Sequence, residues 1–146
     1  MLTSCFMVDE ELTGKVIGCA MEVHRELGPG YLEKVYENAL VIALRSCGMS
    51  ADQQVPVPAR FRGAVVGDFI ADLIVDKRLI VELKAVSGLL PVHESQLVSY
   101  LKPTGIDVGL LINFGAQSLQ FKRKYRDFKN PVNPVNPVIL SETQGE

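Results

Sequence analysis

The sequence has little of what marks several protein classes. It has no surplus of positive charge. Its 15 basic and 17 acidic residues leave a net charge of −2, which argues against a protein that coats nucleic acid by bulk attraction. It has three cysteines, Cys5, Cys19 and Cys47, an odd number without metal-like spacing. They read as free thiols in a reducing cytoplasm, with Cys19 and Cys47 as buried small hydrophobes on helices. It has no apolar run near the about 20 residues that a membrane span needs. The apolar stretch from Met1 to Val8 lacks a basic leader and is followed at once by Asp9, Glu10 and Glu11, so it does not read as a secretory signal.

What is present suits one soluble domain. The 146 residues are 47% hydrophobic and 22% charged, enough to build one sizeable core without covalent staples. Charge is unevenly placed: residues 1–76 carry 6 basic and 11 acidic side chains, and residues 77–146 carry 9 basic and 6 acidic. A polyanionic partner should therefore meet surface from the second half, or a site where a metal offsets the acids.

Periodicity orders the elements. Leu12, Val16, Cys19, Ala20, Val23 and Leu27 recur at three- and four-residue steps, predicting a helix over 9–27 capped by Asp9 and stopped by Gly28-Pro29-Gly30. A second helix is expected over 31–47, with Leu32, Val35, Tyr36, Ala39, Leu40, Ala43 and Leu44 inward. Strands are expected at 53–62, 65–75 and 79–86. Pro56 and Pro58 demote the first to an edge or irregular strand. A helix over 92–102 and strands at 107–114 and 118–124 follow. The order α-α-β-β-β-α-β-β predicts an α/β (α+β) domain, a mixed sheet flanked by helices. The domain is expected to span 9–129. Residues 130–146 open with three Asn-Pro-Val repeats and read as a disordered tail.

The chemistry concentrates in the hairpin 70–86. A three-residue loop, Asp76-Lys77-Arg78, pairs Val75 with Leu79, Leu73 with Val81 and Ala71 with Leu83, leaving one face wholly apolar. The other face then holds Ile70, Asp72, Ile74, Ile80, Glu82 and Lys84, with Asp72 opposite Glu82 at a Cβ separation of roughly 5 Å. Two like charges and a lysine on a partly buried patch need compensation. A divalent ion supplies it, because Mg²⁺ favours one or two carboxylates plus waters and phosphate oxygens. A salt-bridge network centred on Lys84, without catalysis, satisfies the same spacing.

Asp72…Glu82-Leu83-Lys84 on adjacent strands resembles the signature of the PD-(D/E)XK nuclease superfamily, with Ala71 in place of the proline. Gln96-Leu97-Val98-Ser99-Tyr100 is similar to the Gln-x3-Tyr motif of RecB-like members. Gly30-Tyr31-Leu32-Glu33-Lys34-Val35-Tyr36 resembles the motif naming the GxxExxY proteins, as do the stretches 22–30, 81–86 and 109–115. The resemblance covers about residues 9–125.

It implies a restriction-endonuclease-like core and a metal-dependent nuclease. Asp72 and Glu82 would hold Mg²⁺ or Mn²⁺ with Glu33 from the second helix. Lys84 would act on the attacking water, and Gln96 and Tyr100 would line the site. His93 and the basic residues Lys122, Arg123 and Lys124 are the candidate nucleic-acid contacts, with DNA expected ahead of RNA. The alternative is a non-catalytic nucleic-acid- or protein-binding module on the same fold, with a partner protein or a second copy as its companion.

Overall fold

The computed structural model describes residues 2–126. Their element order is the expected one: α1 (Leu2–Leu27), α2 (Glu33–Ser46), β1 (Ala51–Phe61), β2 (Ala64–Val75), β3 (Leu79–Lys84), α3 (Pro91–Thr104), β4 (Val108–Asn113) and β5 (Gln120–Tyr125). The expected Asn-Pro-Val tail and the domain limit at 129 lie outside the described residues. Among the described residues no helix is long and apolar enough to cross a membrane.

The five strands form one mixed sheet in the order β1-β2-β3-β4-β5. β3 and β4 run parallel, joined by α3; the other neighbours are antiparallel. β1, with its two prolines, and β5, with its basic run, form the edges. β3 and β4 lie inside and are buried along nearly their whole length; a strand covered on both faces is mostly apolar, which makes Glu82 and Lys84 of β3 exceptions.

Each face of the sheet buries its own core. On one side α1 and α2 set Val16, Ala20, Leu40 and Leu44 against Leu73, Val81, Leu83 and Leu110. On the other, α3 sets Leu97 and Leu101 against Val57, Ala71, Ile80 and Leu111. The α1 stripe is as periodicity demands, but α1 runs back to Leu2, so Asp9 lies within the helix and does not cap it. In α2 the apolar face is rotated from expectation: Leu32 and Val35 are exposed, while Glu37 and Val41 are buried. Cys19 is buried, but Cys47 is exposed at the end of α2.

The hairpin register is the expected one. Val75 faces Leu79, Ile74 faces Ile80 and Leu73 faces Val81. Asp76 (φ 51°) and Lys77 (φ 56°) turn the chain through the left-handed region. The expected pairing of Ala71 with Leu83 does not occur, and Ala71 joins the α3-side core. The cause lies at Asp72. Across β1, Gln54 adopts φ 52° and drops out of the β1–β2 pairing, so strict alternation breaks at this point. Such irregularities re-aim side chains next to sites of chemistry.

One close approach holds the end of β3 in place. Buried Asn113 accepts the N–H groups of Val86 (2.9 Å) and Gly115 (3.0 Å) and donates to the Val86 carbonyl (2.9 Å) and Gln120 (2.8 Å). Gly115 packs so tightly that an added Cβ would stand 2.4 Å from Val86 backbone atoms. Backbone cannot swing aside as a flexible side chain can. Gly115→Ala is therefore expected to destabilise the fold by about 1–3 kcal/mol or more, read as a shift in the urea midpoint. An unchanged midpoint would show that the 84–86 segment yields freely.

Candidate active site

Asp72 and Glu82 meet where the β2–β3 ladder ends. The paired residues stop at Leu73 and Val81. Beyond them the carboxylates take over the hydrogen bonding. The Asp72 N–H donates to Glu82 Oε2 at 3.0 Å, and the Leu83 N–H donates to Asp72 Oδ2 at 2.9 Å. Each carboxylate thus binds main chain of the opposite strand, which fixes both side chains and brings the two acids together.

That proximity is electrostatically costly. Glu82 is buried, and its pKa is pushed up to about 8. Burial is the largest cause and the Asp72 charge the next; the Asp72 backbone N–H and Lys84 oppose them. Lys84 lies two residues beyond Glu82 at the end of β3, half-buried. On the α3 side, Tyr100 stacks on Phe69 with ring centroids 3.8 Å apart. Burial and then the charges of Glu82 and Asp72 raise the pKa of its hydroxyl, so it keeps its proton at neutral pH and remains a donor.

The α2 contribution differs from expectation. Glu33 sits exposed in the first turn of α2 and forms no hydrogen bond or ion pair with any described residue. Glu37, one turn on, is buried at 4% exposure. It accepts Gln54 Nε2 at 2.9 Å and Gln53 Nε2 at 2.8 Å, and pairs with Lys34 at 3.2 Å. Gln54 Nε2 also reaches Asp72 Oδ1 at 3.4 Å. The α2 acid tied to Asp72 is therefore Glu37, through Gln54. Sequence reasoning missed both. Their signals were an acid on the inner face of α2 and a Gln-Gln pair in a strand of Val and Pro. Tyr36, the last residue of the Gly30–Tyr36 motif, serves structure: it stacks on Phe114 and its hydroxyl donates to the Gly28 carbonyl.

The remaining candidates scatter. Gln96 is exposed one turn before Tyr100 on α3. His93 Nδ1 accepts the Leu90 N–H at 3.0 Å and so fastens the start of α3. The basic run on β5 divides between the two faces of the sheet. Lys124 pairs with Glu94 of α3 at 3.0 Å, and Arg123 donates to Thr13 of α1 at 2.9 Å. Lys122 is exposed.

A family comparison covers the whole of this architecture. Residues 10–124 fit the family model described as the PD-(D/E)XK nuclease superfamily. The chain belongs to this superfamily. Searches of curated proteins and of solved structures gave no match.

PD-(D/E)XK nucleases typically use divalent metal ions. Among the described residues, no group of three or more His, Cys, Asp or Glu side chains is arranged to hold one. The donor chemistry nonetheless fits. Asp72 and Glu82 are hard oxygen ligands in the number that Mg²⁺ prefers. Burial first, and the neighbouring Asp72 charge second, raise the Glu82 pKa and favour its protonated form when no cation is present. A cation beside them would favour the ionised form of both and offset that cost.

Proposed function

We propose that this chain is a metal-dependent nuclease of the PD-(D/E)XK superfamily that hydrolyses nucleic-acid phosphodiester bonds, and that it is a member of the GxxExxY group within it. The observation that carries the reading is the Asp72–Glu82 pair. Two acids are brought together at a break in the ladder, at an electrostatic cost that a purely structural strand pair has no reason to bear. The superfamily match and the position of Lys84 agree with it.

Asp72 and Glu82 would hold Mg²⁺ or Mn²⁺, with Glu37 supporting Asp72 through Gln54. A bound divalent ion would supply Lewis-acid stabilisation of the phosphoryl group and activation of water for attack. The chain's own groups do the rest. The backbone N–H groups of Asp72 and Leu83 keep both carboxylates aimed. Lys84 places positive charge where negative charge develops, or orients the attacking water. Tyr100 stays protonated and can donate to a phosphate oxygen.

The test is a metal titration followed by thermal unfolding, alongside cleavage of DNA and RNA substrates. Mn²⁺ at about 100 times its Kd is expected to stabilise the protein by roughly 2.7 kcal/mol. Asp72→Asn is expected to lose most of that stabilisation and all cleavage. A native protein that neither responds to Mg²⁺ or Mn²⁺ nor cuts either polymer would instead support the non-catalytic module.

A further inference from the structure

A second cationic feature lies apart from the β5 run. A groove of about 470 Å³ opens between β1 and α3, lined by Pro58, Arg60, Phe69, Ser99, Lys102 and Pro103, with Ala59 on its rim. No acidic side chain lines it. Arg60 and Lys102 are both exposed, and neither has an ion-pair partner among the described residues. That contrasts with Lys34, Lys124 and Arg126, which are all paired.

The backbone contributes to the placement of Arg60. The β1–β2 register shifts between Ala59 and Arg60: Ala59 faces Gly67, whereas Arg60 faces Val65. A bulge of this kind turns the following side chain, and Arg60 lines the groove beside its neighbours. The helix supplies the second cation from its last turn. The floor between them is apolar, made of Phe69 and two prolines. Phe69 stacks directly on Tyr100, and Tyr100 lies within the fields of Asp72 and Glu82. The groove thus adjoins Tyr100, which stacks on its lining residue Phe69 and packs with it against the α3-side core of the carboxylate-bearing hairpin.

We propose that this groove binds the backbone of the nucleic-acid strand beside the scissile bond, with Arg60 and Lys102 on its phosphates. The proposal rests on the nuclease reading above and adds to it the path of the substrate. Two cations flanking an apolar floor match a strand's alternation of phosphate with sugar and base. The site would enlist residues that the β5 run cannot, because Arg123 and Lys124 face opposite sides of the sheet and are already engaged.

Fluorescence anisotropy with labelled single-stranded DNA, and with RNA of the same sequence, tests the proposal across a salt series in EDTA. The double variant Arg60→Ala/Lys102→Ala is compared with the native protein and with Lys122→Ala. The expected result is at least a tenfold weaker Kd for the double variant. Its salt slope should fall by roughly 1.4, two phosphates at about 0.7 each on a single strand. The exchange Arg60→Lys/Lys102→Arg should keep most of the slope. Stabilisation by Mn²⁺ should be unchanged in every variant, which shows that each is folded with its carboxylate pair intact. Equal affinity and slope in the native protein and the double variant, with binding present, overturn the groove and leave the nuclease reading standing. A native protein that binds and cuts neither polymer overturns both.

Discussion

Lys84→Ala is expected to lower cleavage by on the order of 10²- to 10⁴-fold while the protein stays folded. Lys84 closes β3 at its exposed end, and its backbone bonds do not depend on its side chain: the Lys84 carbonyl accepts the Phe114 N–H at 2.8 Å, and Asn113 lies opposite. The ammonium acts on charge. It is one of the two influences that lower the pKa of Glu82, so removing it leaves the carboxylate pair harder to ionise as well as depriving the reaction of a cation. Lys84→Arg separates those roles. Arginine keeps the positive charge but is effectively never deprotonated. If Lys84 only offsets charge, the arginine variant should retain much of kcat; if it handles the proton of the attacking water, arginine should fail as alanine does. Native cleavage rates in Lys84→Ala, measured with Mg²⁺ on both DNA and RNA, would refute its place in the mechanism.

The order of elements and the hairpin register could be read directly from residues, because both follow from local rules. Alternation of apolar residues over 73–81 leaves one loop length that keeps a face dry, and the structure adopts it. Pro56 and Pro58 cannot donate to a ladder on both sides, and β1 is indeed an edge. What local rules could not show was the break at Asp72. It depends on Gln54 taking a left-handed backbone conformation, which no glycine or asparagine announces. The break then sends Ala71 to the α3-side core. That Glu37 and not Glu33 is the buried acid of α2 has a similar origin. A motif names the glutamate nearest the helix start, whereas the rotation of α2 on its core decides which acid is buried. Tyr36 is fully buried against Phe114, and Glu37 beside it is buried on the same rotation of α2. The groove at Arg60 was equally hidden, since it needs a register shift in β1 and the last turn of α3 to be seen together.

The metal-free protein is expected to lose stability as pH rises from about 5 to 8, the reverse of what paired carboxylates usually produce. Glu82 has a pKa of about 8 in the folded protein against 4.5 as a free side chain. Between those values the folded protein holds a proton that the unfolded chain has released. The stabilisation is complete below 4.5 and is lost as pH climbs through the folded value. The slope approaches about 1.4 kcal/mol per pH unit where one proton separates the two states. Glu82→Gln removes the titrating group and should flatten the profile. Asp72→Asn should flatten it in part, because Asp72 is the second cause of the shift and burial is the first. Urea unfolding in EDTA across that pH range measures all three proteins. Saturating Mn²⁺ should flatten the native slope, since binding requires Glu82 to give up its proton, strengthens with pH and so cancels the metal-free loss. Parallel profiles for the native protein and Glu82→Gln in EDTA would mean that Glu82 is already ionised when the site holds no metal. Ionising the buried Glu82 beside Asp72 would then carry little cost for a cation to offset.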